Sequence, residues 1–378
     1  MSTTPIHLQE VAKKQETYFN QLDGIRFLAV FLVLYDHLLA GFNTLPIGPI
    51  GVTIFFVLSG FLITRILIES KNQYKPREDG FKTYLKKFYI RRTIRIFPIY
   101  YLTIFLLVVF NVPPAREKFW WLVTYTSNIY IAHHEHWLGV VDHFWSLAVE
   151  EQFYIFFPFI VFFIPNRHLP KLLVGFIIGS VLLRLYYFLT GAPWFVAYVL
   201  MPTSLDAFGL GGLMAYMYIY QRDLFDSTFK RGSLVWLGLA ILGGSLLWYH
   251  LSPDPHLSLN SVFERLAGSI FAFFLIGKAI TGYSGVMKWL LENPVSVYLG
   301  RISYGLYLYH NFVFNHYHIT PTHPVYRFMH RIYRSFPSLE ENLVFNFATY
   351  IVLTIFVATL SWYIIEKPIN NLKSRFKY

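Results

Sequence analysis

The sequence predicts an all-α fold, that of a polytopic integral membrane protein with about ten transmembrane helices. Three observations carry this. Of 378 residues, 55% are hydrophobic and only 14% are charged, against about a quarter charged in soluble domains. Apolar runs of roughly 18 to 25 residues recur along the chain, the length at which an α-helix crosses a bilayer. Lysine and arginine gather in alternate loops between these runs, as they do when positive loops fix orientation.

The runs fall at about 25–42, 48–68, 96–112, 147–164, 172–190, 195–220, 233–250, 262–280, 296–314 and 343–365. The first follows a polar stretch, "MSTTPIHLQEVAKKQETYFN", that lacks the order and cleavage site of a signal peptide, so it reads as an uncleaved signal anchor. Between the second and third lies the most basic loop, 69–95, with Lys71, Lys75, Arg77, Lys82, Lys86, Lys87, Arg91, Arg92 and Arg95. The segment "WWLVTYTSNIYIA" (120–132) is too short to span and reads as re-entrant or interfacial. The fifth and sixth runs are joined by "TGAPW", which has no Lys or Arg, and the sixth is interrupted by Pro202. Later basic loops carry Arg167 and Lys171, then Arg222, Lys230 and Arg231, then Lys288. After the tenth run comes a tail with Lys367, Lys373, Arg375 and Lys377. With Lys13 and Lys14 inside, both termini are cytoplasmic. The division is then a cytoplasmic segment 1–24, a transmembrane domain 25–366 and a basic tail 367–378.

Composition also excludes. With no cysteine there is no disulfide, thiolate metal site or cysteine acyl-enzyme. The net charge of +11 resides in loops between spans, so it serves orientation and not nucleic acid.

Ionisable groups inside spans cost several kcal/mol and are functional candidates. This topology puts Arg26, Arg65, Arg91, Arg92, Arg95, Arg301 and Glu366 toward the inner face. Toward the outer face lie Asp36, His37, Glu150, Glu151, Arg184 and His310, with Asp206 near mid-span. Arginine stays charged when desolvated and binds phosphate in a bidentate way, so the inner set suits a phosphorylated ligand. Snorkelling to anionic lipid is the plainer reading of Arg91 and Arg92 alone. Histidine suits general-base work on a hydroxyl, and His37 and His310 sit at matching depth. In "RFLAVFLVLYDHLL" Arg26 and His37 are eleven positions apart, which returns to nearly the same helix face roughly 16 Å further along.

Glu150 and Glu151 are adjacent, point about 100° apart and are not expected to face one pocket together. One of them faces the interior, and the other orients a histidine, pairs with Arg184 or meets the headgroups. Ser59 in "FFVLSGFL" is no nucleophile elbow; with Gly60 it permits close helix packing, as do Gly209, Gly211 and Gly212. The run "HHEH" (133–136), near Asp142 and His143, lacks the spacing of a zinc motif and reads as an exposed loop cluster, so no metal is expected.

Seven segments resemble, in order, the integral-membrane acyltransferase family 3. They are "LDGIRFLAVFLVLYDH", "GVTIFFVLSGFLITRIL", "FYIRRTIRIFPIYYL", "FWSLAVEEQFYIFFP", "LDAFGLGGLMAY", "ISYGLYLYHNFVF" and "SWYIIEKPI". That family includes O-acetyltransferases of surface polysaccharides and Nod-factor type glycans. The resemblance implies transfer of an acyl group, usually acetyl, from cytoplasmic acyl-coenzyme A to a hydroxyl of an extracytoplasmic glycan or glycolipid. No tightly bound cofactor is implied. The site would be the bacterial cytoplasmic membrane, in the form without a fused esterase-like domain.

On this resemblance His37, Glu150, Glu151 and His310 are catalytic, with His37 the base and a glutamate orienting it. Arg26, Arg91, Arg92 and Arg95, which match the family's motifs, hold the donor, joined by Arg65 on the strength of its embedded inner-face position. Asp36, Ser59, Arg184, Asp206, Arg301 and Glu366 support them. Asp36 directly before His37 is an unusually polar neighbour for the motif, and it lies off the Arg26–His37 stripe. The competing reading is a transporter or flippase of lipid-linked sugars, since broken spans occur in transporters.

Overall fold

The computed structural model describes residues 18–39, 44–315 and 323–375, except the side chain of residue 374. Among these the chain is helical, with no strand. In order the helices are α1 (Asn20–Leu38), α2 (Ile47–Tyr74), α3 (Gly80–Val109), α4 (Phe119–Val123), α5 (Ser127–His134) and α6 (Phe144–Phe163). Then come α7 (Leu169–Leu189), α8 (Trp194–Val199), α9 (Leu205–Tyr220), α10 (Arg222–Phe229), α11 (Ser233–Leu251) and α12 (Asn260–Thr281). The series ends with α13 (Gly285–Glu292), α14 (Pro294–Arg301), α15 (Ser303–Val313), α16 (Pro324–Ser335), α17 (Leu343–Ser361) and α18 (Lys367–Asn371).

Among the described residues each of the ten apolar runs is largely helical. Among the described residues six helices are long and apolar enough to cross a membrane, or seven if α12 and α13, bent by 90°, form one span. The remaining runs fall short for identifiable reasons. Asp23, Arg26 and Asp36 interrupt α1. The run at 296–314 turns at Ile302 between α14 and α15. The run at 195–220 breaks into α8 and α9, because Pro202 supplies no N–H to continue the ladder.

The distribution of apolar surface separates centre from rim. The most apolar stretch of α2 is 78% buried, whereas that of α11 is 11% buried and those of α7 and α17 are 17% buried. Trp236, Leu247, Val352 and Phe356 face outward from these rim helices. So much exposed apolar surface is the mark of a lipid-facing perimeter. This is an integral membrane protein.

At the centre α2 packs on α1, α9 and α12. A Cβ on Gly60 would lie 2.4 Å from the Phe208 carbonyl oxygen, and one on Gly211 would lie 2.1 Å from that of Val57. The two backbones are therefore in direct contact, and only glycine fits. Phe208 fills the adjoining space, stacked between Phe56 and Phe153 at 5.0 and 4.2 Å. The segment 120–132 forms two short helices, α4 and part of α5, joined by a turn, and does not span.

Candidate active site

Two buried arginines secure the broken helix beside the site. Arg184 donates to the Thr203 and Val262 carbonyls at 2.5 and 2.8 Å and to Asp206 at 2.7 Å. Arg265 donates to Ser204 Oγ at 2.5 Å and to the Tyr198 carbonyl at 2.6 Å. The carbonyls freed at the break thus find charged donors, which is how irregular backbone is tolerated at membrane depth. Arg184 pairs with Asp206 and not with Glu150 or Glu151. Both ions of that pair are desolvated and mutually satisfied, so their role is structural.

A cavity opens between α1, α2, α3, α6 and α15. Arg26, Arg92 and Arg95 line it, together with Ser59, Glu150, Glu151, Tyr154 and Tyr304. Asp23, 2% exposed, accepts from Tyr18 and Arg26 and lies 3.7 Å from Arg301, which fixes Arg26 at its edge. Arg92 lies over the Tyr154 ring at 5.5 Å.

Several expectations change here. Helix α3 starts at Gly80 and not near 96, so Arg92 and Arg95 lie in mid-helix and not at its edge. The basic stretch continues one helix because its arginines have a polar cavity to enter. Glu150 and Glu151 both line this cavity, since its breadth exceeds the 100° between them. Glu150 accepts from Ser59 at 2.6 Å, and Ser59 accepts from Tyr154 at 3.1 Å, so Ser59 is more than a packing residue. Neither glutamate orients His37. Glu151 keeps one buried oxygen without a partner. Arg65 lies outside the cavity, 8% exposed, against the Phe19 ring at 5.0 Å. Glu366 accepts from Ser361 at 3.1 Å.

A second cavity is lined by His37, and His310 lies buried behind it. His37 Nδ1 lies 2.7 Å from His310 Nε2, and the rings stack at 4.9 Å. His310 Nδ1 lies 2.6 Å from the Tyr307 carbonyl oxygen. A carbonyl only accepts, so His310 Nδ1 carries the proton and, in a neutral ring, His310 Nε2 is an acceptor. His37 Nδ1–H therefore donates to it, which places the basic lone pair of His37 on Nε2. His310 is fully buried and His37 lines the cavity, so the buried ring orients the accessible one. Asp36, off the Arg26–His37 stripe, also lines this cavity. A curved wall reaches farther round α1 than one stripe.

His143 is 2% exposed and not part of a surface cluster. Its Nε2–H donates to the Leu308 carbonyl at 3.1 Å, and its Nδ1 accepts from Asn311 at 2.8 Å. It fastens α6 to α15 behind His310, 5.1 Å away ring to ring. In the run "HHEH", His134 stacks on Tyr130 at 4.1 Å.

Val52 and Tyr307 line both cavities. The Tyr307 hydroxyl is 2.5 Å from Ser146 Oγ, which donates to the His143 carbonyl at 3.1 Å. Helices α1 and α15 thus each present one residue set to the arginine cavity and another to the histidine cavity. Sequence reasoning missed Asp23, Glu264, Arg265 and Tyr307. The first three were visible as charges in apolar surroundings, whereas Tyr307 carried no distinguishing signal.

Apolar helices of membrane length around an arginine-lined cavity that adjoins a paired-histidine cavity define an integral membrane protein with ionisable groups gathered at its centre. Residues 19–366 match the acyltransferase domain of the acyltransferase 3 family, and the chain belongs to that family. It is similar to a protein of Staphylococcus aureus strain COL provisionally named an O-acetyltransferase, with 30% identity over 389 positions, 95% of this chain and 58% of that one. It is also similar to O-acetyltransferase OatA of Staphylococcus aureus strain NCTC 8325, with 28% identity over 379 positions, 94% of this chain and 57% of the relative. The chain spans a little under three fifths of the length of these curated relatives. No solved structure matches it significantly.

Proposed function

We propose that this chain is a membrane O-acyltransferase that moves an acetyl group from cytoplasmic acetyl-coenzyme A to a hydroxyl of an extracytoplasmic glycan or glycolipid. The observation that carries the reading is the His37–His310 pair, with the His37 lone pair on Nε2, beside a cavity lined by three arginines. The family and the names of the relatives support acyl, and specifically acetyl, transfer.

In this reading Arg26, Arg92 and Arg95 take the donor's phosphates, and the thioester reaches the histidines past Val52 and Tyr307. His37 Nε2 accepts the proton of the acceptor hydroxyl as its oxygen attacks the thioester carbonyl. The C–S bond then breaks, and the thiolate takes up the proton carried by His37. His310 holds the imidazolium in place through the Nδ1–H bond, as an orienting acceptor does in a catalytic triad. Ten spans, cytoplasmic termini and a bacterial inner membrane fit a donor on one side and an acceptor on the other. Coenzyme A thioester and glycan are the substrates; the reading calls for no bound cofactor, metal or nucleic acid.

The test uses purified protein in lipid nanodiscs with radiolabelled acetyl-coenzyme A. Replacing His37 with Ala is expected to lower transfer by about 10² to 10⁴-fold, the range of general-base catalysis, with donor binding retained. Unchanged transfer would remove the base from the mechanism. A sugar flippase would not bind the label at all.

A further inference from the structure

Helix α16 (Pro324–Ser335) carries a charge pattern that the transfer chemistry does not use. Its sequence, "PVYRFMHRIYRS", has three arginines and no acidic residue. Arg327, Arg331 and Arg334 are spaced four and three apart and so line one stripe of the helix. All three are exposed. Among the described residues, none of them has an ion pair or a side-chain hydrogen bond. Glu340 and Glu341, in the turn before α17, are exposed as well and pair with none of the three.

The other side of the helix is apolar and anchored. Met329 is buried in the core, and the Tyr333 hydroxyl donates to Asn346 Oδ1, in the first turn of α17, at 2.7 Å. Helix α17 opens a stretch apolar enough to cross the membrane and turns Val352 and Phe356 outward, so α16 is fastened where a lipid-facing span begins. Phe328 lies on the flank between the arginine stripe and the buried side, and Phe336 follows the last turn; both rings are exposed. A water-soluble polyanion would satisfy the guanidinium groups and leave these rings wet. A lipid interface meets both needs, with phosphates for the arginines and acyl chains for the rings.

We propose that α16 lies in the membrane interface and binds the phosphodiester of anionic phospholipids, with Arg327, Arg331 and Arg334 on the headgroups and Phe328 among the upper acyl carbons. Zwitterionic lipids carry the same phosphate together with their own cation, so the arginine stripe favours lipids of net negative charge. None of these residues lines either cavity, so the site stands apart from the transfer chemistry.

The chain has no cysteine, so Ser335→Cys, at an exposed position at the end of α16, provides a unique attachment point for an environment-sensitive fluorophore. The labelled full chain is placed in phosphatidylcholine nanodiscs. These contain a small, fixed fraction of either phosphatidylglycerol or phosphatidylcholine bearing a nitroxide on the upper acyl chain. The expected result is quenching at least about threefold stronger by the phosphatidylglycerol probe, a preference that shrinks as salt screens the charges. Arg327→Gln, Arg331→Gln and Arg334→Gln together should abolish the preference, and the same three positions changed to Lys, which keeps the charge, should retain most of it. Elution profile and label emission in lipid without nitroxide control for folding of the variants. Equal quenching by the two probes, no quenching by either, a preference that survives the Gln replacements, or its loss in the Lys variant overturns the proposal. So does relief of the preference by a soluble glycerol phosphate polymer at equal phosphate concentration, which would assign the stripe to a polyanion in water and not to the membrane.

Discussion

Two residues outside the His37 position carry predictions at the scale of single side chains. His310 is expected to act by orientation. His310→Ala should lower kcat while leaving donor KM within about twofold, because its partner is the Nδ1 of His37 and no donor group. A matching rise in donor KM would place it elsewhere in the mechanism. Lys373 gives a pH dependence. It follows the last long helix and lies beside the α3 arginines, so burial, then Arg95, Arg92 and Arg91, hold its ammonium down to about 6. It is therefore mainly neutral in the empty protein above that pH. Donor phosphates arriving nearby would raise its pKa, so binding takes up a proton, and donor affinity should fall between about pH 6 and pH 8. Lys373→Arg stays charged throughout. Subtracting its acetyl-coenzyme A binding curve removes the donor's own titration and should leave that fall; coincident curves would show that Lys373 does not face the donor. Arg26 and His37 were legible because a charge in an apolar helix announces itself. Lys373 was not, because its setting depends on the tail folding back onto α3. His143 was misread because loop position hid its contacts with Leu308 and Asn311.

At the scale of helices, the α2–α9 contact tolerates no side chain at Gly211. A Cβ there would meet Val57 O at 2.1 Å and Phe61 N at 2.6 Å, both backbone atoms that cannot swing aside. Gly211→Val should therefore cost about 1–3 kcal/mol or more, the usual range for overpacking. The readout is the unfolding midpoint followed by tryptophan fluorescence in nanodiscs. Gly175→Val on α7 is the control, since nothing lies within 4 Å of a Cβ there, and its midpoint should move little. Equal shifts in the two variants would mean that α2 and α9 can separate. Apolar length alone located the helices, because burying backbone polar groups in lipid leaves the chain few other forms. Helix ends and breaks were less legible. The start of α3 at Gly80 depends on a cavity that accepts Arg92 and Arg95, and the α8–α9 break depends on Arg184 and Arg265 reaching across from other helices.

For the whole molecule, the two cavities are useful only if they communicate. The sequence implied two chemically distinct ends on one helix but not what lies between, since a passage is a property of several helices at once. Val52 on α2 and Tyr307 on α15 line both cavities, and the Tyr307 hydroxyl is held by Ser146. Tyr307 is thereby fixed, which leaves Val52 as the side chain whose size sets the opening. Val52→Trp adds bulk there without replacing an arginine or a histidine of either site. If the donor's acyl group passes this point to reach His37, the variant should retain acetyl-coenzyme A affinity within about threefold and lose transfer by about 10²-fold or more, because a group kept a few ångströms from its nucleophile forfeits the advantage of proximity. Val52→Ala should retain transfer, which separates blockage from the loss of a specific valine contact. Donor binding and transfer measured on the same nanodisc samples decide the matter. Full transfer in Val52→Trp would mean that the acyl group reaches His37 by another path. Loss of donor binding together with transfer would mean that the bulky side chain collapses the arginine cavity and does not close a passage between the two.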